Sequence, residues 1–237
     1  MIERIKKALN FQGGNLDLVL GLREKGVSLL LQGKTEESLK VFFEALKNSF
    51  GSPRLQALCL TDFGDWSRRV EKDVELADAL FKLAESIDNS ALIKSRIYCM
   101  KAMFSELILE KYPSALTAVS LSVVLFKLAV YLGLQDKTKL GVEALNMAFH
   151  RWGAFMVAYG SKAQQEEAWE EIQKFADRQR PRIRYVEAML MAGKDPERAI
   201  SILQEISEEI KKESPSDASY WREQAEEIRK QEKRRIK

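Results

Sequence analysis

Apolar residues recur along most of the chain at spacings of three and four, which is the period of an amphipathic α-helix. The clearest runs are Leu39, Phe42, Phe43, Leu46 and Ile200, Leu203, Ile206, Ile210. Strand-like alternation appears nowhere at useful length, and the sequence contains no Asn-Gly or Asp-Gly hairpin signal. The pattern therefore predicts an all-α fold, with helices of ~12–20 residues joined by short turns.

Helix starts are marked by capping residues. A side chain suited to the N-cap precedes a proline at Ser52-Pro53, Asp195-Pro196 and Ser214-Pro215, and proline is favoured at the first helical position. Ser161 and Gln164 have the spacing of a capping box. The predicted helices are 2–10, 15–32, 36–49, 53–69, 72–87, 90–110, 113–133, 137–160, 162–179, 182–193, 196–212 and 216–235.

The most apolar stretch is 114–134, which runs 13 residues without a charge before Lys127 interrupts it. A membrane-spanning helix needs ~20 apolar residues. We therefore expect a central buried helix here and no membrane span, with the ammonium group of Lys127 reaching the rim of the core.

Composition excludes several kinds of chemistry. The chain has 237 residues with 38 Lys+Arg and 35 Asp+Glu, so its net charge is +3, and it has one histidine and two cysteines. A single imidazole, His150, and no Cys-x-x-Cys leave the usual zinc and redox motifs without ligands. Cys59 and Cys99 lie in apolar segments and suit a reducing compartment. We expect no catalytic residue, cofactor or metal, and a cytoplasmic location.

Helical pairs recur along the chain, and the first pair carries a specific pattern. Leu22, Gly26 and Leu29 fall on its first helix, Gly33 at its turn, and Ser38, Phe42 and Ala45 on its second. These positions resemble a tetratricopeptide repeat, in which small residues stand where two helices approach closely and large residues fill the gaps. The pair 182–193 with 196–212 matches more weakly. In the pair 53–69 with 72–87, only Ala77, Phe81 and Ala84 of the second helix fit.

The resemblance implies one tetratricopeptide-like domain over 1–237, in which antiparallel helical hairpins stack as a right-handed solenoid. Residues 15–50 form the best repeat, 1–14 an N-terminal arm, and 216–237 a basic helix that caps the last pair. A plain antiparallel helical bundle with one accidental repeat is the alternative architecture.

The resemblance also implies a concave groove lined by the first helix of each pair, where a partner peptide or helix binds. The groove positions in the first pair are Leu20, Arg23, Val27, Leu30 and Leu31. The carboxylate-clamping members of the family carry asparagine where this chain has Val27, so an apolar groove is expected. Alternatively, Leu20, Val27 and Leu31 pack on the helix 2–10.

A second candidate surface is basic. Arg178, Arg180, Arg182 and Arg184 fall within seven residues at a helix junction, and the tail 229–237 carries six positive charges against one negative. Such charge suits phosphate groups. The arginines could instead pair with the acidic residues Glu166, Glu167, Glu170 and Glu171 of the preceding helix.

We predict a non-catalytic adaptor or scaffold that holds a protein or peptide partner. The alternative is a nucleic-acid-associated helical protein that uses the arginine run and the basic tail. Self-association into a homo-oligomer is also compatible with the pattern, because the ends of solenoids and apolar grooves often pair.

Overall fold

The computed structural model describes residues 16–112, 114–177, 179–212 and 215–235. The chain divides into two compact units, Met1–Gly141 and Val142–Lys237, which we call unit 1 and unit 2. The predicted helix 2–10 and the N-terminal arm lie outside the described residues. Within the described residues the fold is all-α and contains no strand, as the apolar spacing predicts.

Unit 1 contains seven described helices, with a π-helical turn, Ser67–Glu71, continuing the third. They are α1 (Leu16–Leu31), α2 (Thr35–Asn48), α3 (Pro53–Trp66), α4 (Val74–Ile87), α5 (Ala91–Ala102), α6 (Phe104–Lys111) and α7 (Leu116–Gly133). Helix α8 (Lys139–Tyr159) begins at the end of unit 1 and lies mostly in unit 2. It is followed by α9 (Lys162–Phe175), α10 (Pro181–Met191), α11 (Pro196–Ile210) and α12 (Pro215–Arg235).

Hydrogen bonds confirm the predicted helix starts at Ser52, Asp195 and Ser161, whereas Ser214 of the fourth lies outside the described residues. The Ser52 hydroxyl accepts from the backbone N–H of Leu55, and the Asp195 carboxylate accepts from the N–H of Arg198. Ser161 and Gln164 make both bonds of the capping box. These side chains satisfy backbone N–H groups that have no partner within the helix.

Neighbouring helices of unit 1 pack in pairs. Helix α1 packs on α2, α3 on α4, and α5 on α7, while α1 also contacts α3 and α3 contacts α5. The α5–α7 pair is joined by two buried hydroxyls: Ser95 donates to the carbonyl of Ala129 (2.7 Å) and Ser122 donates to that of Ala102 (2.8 Å). The first helices of the three pairs therefore stand in a row.

The predicted helix 90–110 is divided at Met103 into α5 and α6. The backbone N–H of Met103 bonds to the carbonyl of Met100, three residues back, which tightens the turn. The carbonyl of Met103 accepts a hydrogen bond from the Arg68 guanidinium (3.4 Å), 35 residues earlier in the chain. A contact from a distant helix therefore stabilises the break, and the periodicity of the local sequence does not predict this break.

Gly26 and Phe42 meet in the first hairpin, as the repeat pattern predicts. A Cβ placed on Gly26 would overlap the ring of Phe42, and Phe42 is 2 % exposed. Ser38 and Ala45, the other small positions, are fully buried. Small residues thus let α1 and α2 approach closely, and the aromatic ring fills the space that they leave.

The second hairpin repeats this arrangement with one additional residue. Gly64 of α3 lies against the ring of Phe81 of α4, and a Cβ at Gly64 would overlap that ring. Gly64 follows Gly26 by 38 residues and Phe81 follows Phe42 by 39. The extra residue lies in the π turn Ser67–Glu71, after which Lys72 adopts a left-handed conformation with φ of 57°. A π turn accommodates one inserted residue within a helix. The glycine–phenylalanine contact therefore recurs with a spacing that is one residue longer.

Helix α7 buries one face only. Its buried residues are Ala118, Val119, Ser122, Val123, Phe126, Ala129, Val130 and Gly133. The opposite face, which includes Leu121 and Tyr131, is exposed. The prediction of a central buried helix therefore holds for half of α7. Among the described helices, α7 is the one whose length and hydropathy suffice to cross a membrane, and 44 % of it is buried in the fold.

Unit 2 ends in a helix that covers the preceding pair. Helix α11 packs on both α10 and α12. The indole of Trp221 on α12 stacks on the ring of Tyr185 on α10, with ring centroids 5.8 Å apart and planes 17° apart. Ala218, Ala225 and Ile228 complete the buried side of α12. Within the described residues 215–235, α12 therefore packs against the last helical pair.

Candidate functional site

The row of first helices in unit 1 brings together three charged side chains. The Asp62 carboxylate on α3 accepts from Arg23 Nε on α1 (2.5 Å) and from Arg96 Nη2 on α5 (2.7 Å). Arg23 adds a second bond to the same carboxylate (3.1 Å), so its contact is bidentate. We call Arg23, Asp62 and Arg96 the arginine–aspartate cluster. It ties α1, α3 and α5 to one another.

The cluster is buried. The side chain of Asp62 is 4 % exposed and those of Arg23 and Arg96 are each 12 % exposed. Arg96 Nε also donates to the Thr61 hydroxyl (3.1 Å). Burial lowers the pKa of the Arg96 guanidinium, and the positive charge of Arg23 lowers it further, whereas Asp62 opposes the shift. Because a buried charge is tolerated only when it is paired, each group in the cluster depends on the others.

A second set of ion pairs continues from the same helix. Arg68, in the π turn, binds Asp65 (2.8 Å) and Glu106 of α6 (3.1 Å), and Arg69 binds Asp65 (2.8 Å). Burial would lower the pKa of Arg68, but the charges of Asp65 and Glu106 outweigh it and the pKa is raised. The π turn thus positions a buried arginine that joins α3 to α6.

Cys59 lies close to the arginine–aspartate cluster and is inert as a nucleophile. Burial raises the pKa of its thiol to about 12, despite the opposing charge of Arg23. Burial therefore keeps this thiol protonated near neutral pH, whereas the thiolate is the reactive form.

The groove residues predicted on α1 differ in exposure. Leu20, Val27 and Leu30 are half-buried and Leu31 is exposed, so an apolar strip remains at the surface of α1. Arg23 is not displayed to solvent, because its guanidinium is held against Asp62. The alternative that this strip packs on the helix 2–10 falls outside the described residues.

Sequence reasoning missed Asp62 and Arg96. Both charged residues have buried neighbours in the sequence: Asp62 stands between Thr61 and Phe63, and Arg96 between Ser95 and Ile97. A charge on a buried face demands a partner of opposite sign. That signal was available, but the partners are 34 and 39 residues away from Asp62 and spacing alone does not identify them.

Two members of the predicted arginine run bind carboxylates within unit 2. Arg184 binds Glu205 (2.7 Å) and Glu209 (3.0 Å) of α11, and Arg180 binds Asp177 (3.3 Å). Arg182 is exposed. Arg178 lies outside the described residues. Intramolecular pairing is therefore confirmed for Arg180 and Arg184, but their acidic partners are not those expected on the preceding helix.

Unit 2 contains an open groove of about 580 Å³ between α9 and α10. Its apolar wall includes Val157, Trp169 and Met189, and Lys162 and Arg198 stand among its polar residues. The groove is thus lined by both apolar and charged side chains.

Comparison with known proteins does not assign the chain to a family. No family model matches the chain, and no curated protein or solved structure shows significant similarity to it. The part of the chain that the structure describes is all-helical, and its helices pack in neighbouring pairs, an arrangement compatible with a helical repeat.

Proposed function

We propose that the protein is a non-catalytic adaptor and that α1 to α5 of unit 1 form a short tetratricopeptide-like solenoid. The observation that supports this most is the repeated glycine–phenylalanine contact in two successive hairpins, together with the row of α1, α3 and α5. In such a stack the first helices share one face, and that face receives the partner.

The proposed binding face is rigid and partly apolar. Buried ion pairs hold α1, α3 and α5 in register, and the strip formed by Leu20, Val27, Leu30 and Leu31 lies on the outer part of α1. A rigid face loses little conformational entropy when it binds. The partner that fits it is a peptide or helix with one apolar side.

Capture of the partner tests the proposal. The tagged full chain is incubated with extract of its native cell at moderate salt, and half of the sample is treated with nuclease before mass spectrometry. We expect a stoichiometric protein that survives nuclease. If the captured partners all disappear with nuclease, the adaptor proposal fails and the nucleic-acid alternative is supported.

A matched pair of variants then locates the face. Leu31→Glu places a charge in the proposed strip, and Val74→Glu makes a comparable change at an exposed position on α4. We expect the first to weaken capture of the partner at least tenfold and the second to leave it within twofold. Equal capture by the two variants would exclude this face as the binding site. Circular dichroism verifies that both variants are folded.

The nucleic-acid alternative has weaker support. Arg180 and Arg184 already bind carboxylates within unit 2. If the arginine run and basic tail nevertheless bind phosphate groups, affinity for mixed RNA must fall steeply between low and moderate salt, because bound counterions are released.

A further inference from the structure

The charged side chains of the open groove in unit 2 are unevenly placed. Its lining includes three cations, Lys162, Lys194 and Arg198, and two carboxylates, Glu166 and Glu187. The Lys194 ammonium binds the Glu166 carboxylate (3.5 Å). Since Glu166 lies early in α9 and Lys194 follows the end of α10, the beginning of α9 lies beside the end of α10.

The three cations gather at one end of the groove. A link of five residues, 176–180, joins α9 to α10, and helices joined by so short a link run antiparallel. Lys162 at the beginning of α9, Lys194 after the end of α10 and Arg198 in the first turn of α11 therefore lie at the same end, which we call the basic end. Glu187 lies four residues before the last residue of α10, about 6 Å back along that helix.

Two cations of the basic end have no carboxylate partner. Within the part of the chain that the structure describes, Lys162 and Arg198 make no ion pair, and both side chains are exposed. The two nearest carboxylates are already bonded. Glu166 binds Lys194, and the carboxylate of Asp195 accepts from the backbone N–H of Arg198. The basic end therefore presents an excess of positive charge to a ligand.

The apolar wall of the groove adjoins the basic end. Val157, Trp169 and Met189 are half-buried, and so are Leu190 and Met191, the last two residues of α10. Aromatic and methionine side chains are enriched where proteins bind one another, and a ligand that covers this wall removes apolar surface from water. The groove volume of about 580 Å³ lies within the range of sites that enclose a ligand.

We propose that this groove binds an acidic segment of a partner protein, in which one large apolar side chain lies next to aspartate or glutamate residues. The apolar side chain packs on the wall formed by Trp169 and Met189. The neighbouring carboxylates pair with Lys162 and Arg198 at the basic end. The site belongs to unit 2, so it goes beyond the function proposed for the face of α1 and does not depend on it.

An acidic peptide fits the groove better than nucleic acid does. Grooves that bind single-stranded nucleic acid carry positive charge along the whole path of the backbone. Here the positive charge is confined to one end, and the buried carboxylate of Glu187 lines the groove beyond it. The segment 229–237 of this chain is also a poor occupant, because it carries six positive charges against one negative and would be repelled by the basic end.

Selection from a displayed library of random short peptides tests the proposal. The full chain and its Lys162→Glu variant serve as separate baits at low salt. We expect peptides that only the wild-type chain recovers, each with a large apolar residue next to aspartate or glutamate. Recovery of the same peptides by both baits, or of basic peptides by the wild-type chain, would overturn the proposal. So would a failure to recover any peptide, and Lys162-dependent binding of a single-stranded RNA oligonucleotide would then assign the groove to nucleic acid.

Fluorescence anisotropy of one labelled, selected peptide then locates its contacts on the full chain. Lys162→Glu and Arg198→Glu should each weaken binding at least fivefold. Lys212→Glu, the same charge reversal at an exposed position outside the groove lining, should leave binding within twofold, as should Leu31→Glu on α1. Added salt should weaken binding to the wild-type chain, because exposed charges are screened. Equal losses in Lys162→Glu and Lys212→Glu would show attraction without a defined site and would overturn the proposal. Circular dichroism verifies that each variant is folded.

Discussion

Gly64 of α3 lies directly against the ring of Phe81 of α4, in the same relationship as Gly26 and Phe42 in the preceding hairpin. In each case the glycine belongs to the first helix and the aromatic ring to the second. The same contact therefore recurs in two hairpins. In each, the two helices approach this closely because the glycine has no Cβ atom.

Gly64→Ala should destabilise unit 1 by up to about 2 kcal/mol, because the cost of overpacking, about 1–3 kcal/mol, is only partly offset by a gain of about 1 kcal/mol in helix propensity. Urea unfolding measures the change. Gly21→Ala is the matched control, since nothing lies within 4 Å of a Cβ at Gly21 on α1. That variant should be stabilised by about 0.5–1 kcal/mol. Equal changes in the free energy of unfolding for Gly64→Ala and Gly21→Ala would contradict the close contact between Gly64 and Phe81.

Asp62→Asn should cost about 3 kcal/mol or more in the free energy of unfolding, because it leaves the buried guanidinium groups of Arg23 and Arg96 without their shared carboxylate. Asp78→Asn serves for comparison. Its carboxylate binds Lys82 and Lys101 and is 29 % exposed, so its loss should cost about 1 kcal/mol or less. A cost at Asp62 no larger than that at Asp78 would show that the cluster contributes little to stability.

Stability should fall as the pH rises above 9. Burial raises the pKa of the Cys59 thiol from 9.0 to about 12, so between these values the unfolded chain loses a proton that the folded chain retains. The free energy of unfolding therefore decreases with pH, by up to about 1.4 kcal/mol per pH unit. Denaturant unfolding at pH 8, 9 and 10 measures this dependence.

Cys59→Ala provides the control for that experiment. The variant should be less stable at pH 8, because it leaves a small cavity, but its stability should depend less on pH between 9 and 10. Burial also raises the pKa of Tyr185, and that group adds to the loss of stability above pH 10. An unchanged pH dependence in Cys59→Ala would assign the effect to other groups.

Trp221→Ala should destabilise unit 2 by about 3–5 kcal/mol, because a large buried aromatic side chain is lost. The indole is 3 % exposed and stacks on Tyr185. The neighbouring Tyr220 is 47 % exposed, and Tyr220→Ala should cost about 1 kcal/mol. Limited proteolysis of α12 should be accelerated in the first variant and nearly unchanged in the second.

Much of the fold follows from local sequence. Ser52, Asp195 and the Ser161–Gln164 pair mark helix starts through bonds to residues three positions away. The contact of Gly26 with Phe42 follows from helix periodicity and residue size. Features of this kind are encoded within one hairpin, so the sequence alone suffices to predict them.

The features that sequence reasoning missed depend on distant or irregular contacts. The break at Met103 accepts a bond from Arg68, and Asp62 meets arginines from two other helices. Periodicity within one helix carries no information on such partners. The arginine–aspartate cluster was therefore missed, although Arg23 was singled out as a binding residue.

The π turn at Ser67–Glu71 has a consequence for how the length of the chain can vary. It accommodates one additional residue between Gly64 and Phe81. These two residues are nevertheless in contact, as Gly26 and Phe42 are in the shorter first hairpin. Gain or loss of one residue at this point changes the backbone of one helical turn, but the buried residues of the hairpin stay in register. Unit 1 thus contains a place where one additional residue leaves the contact between the two helices of a hairpin in register.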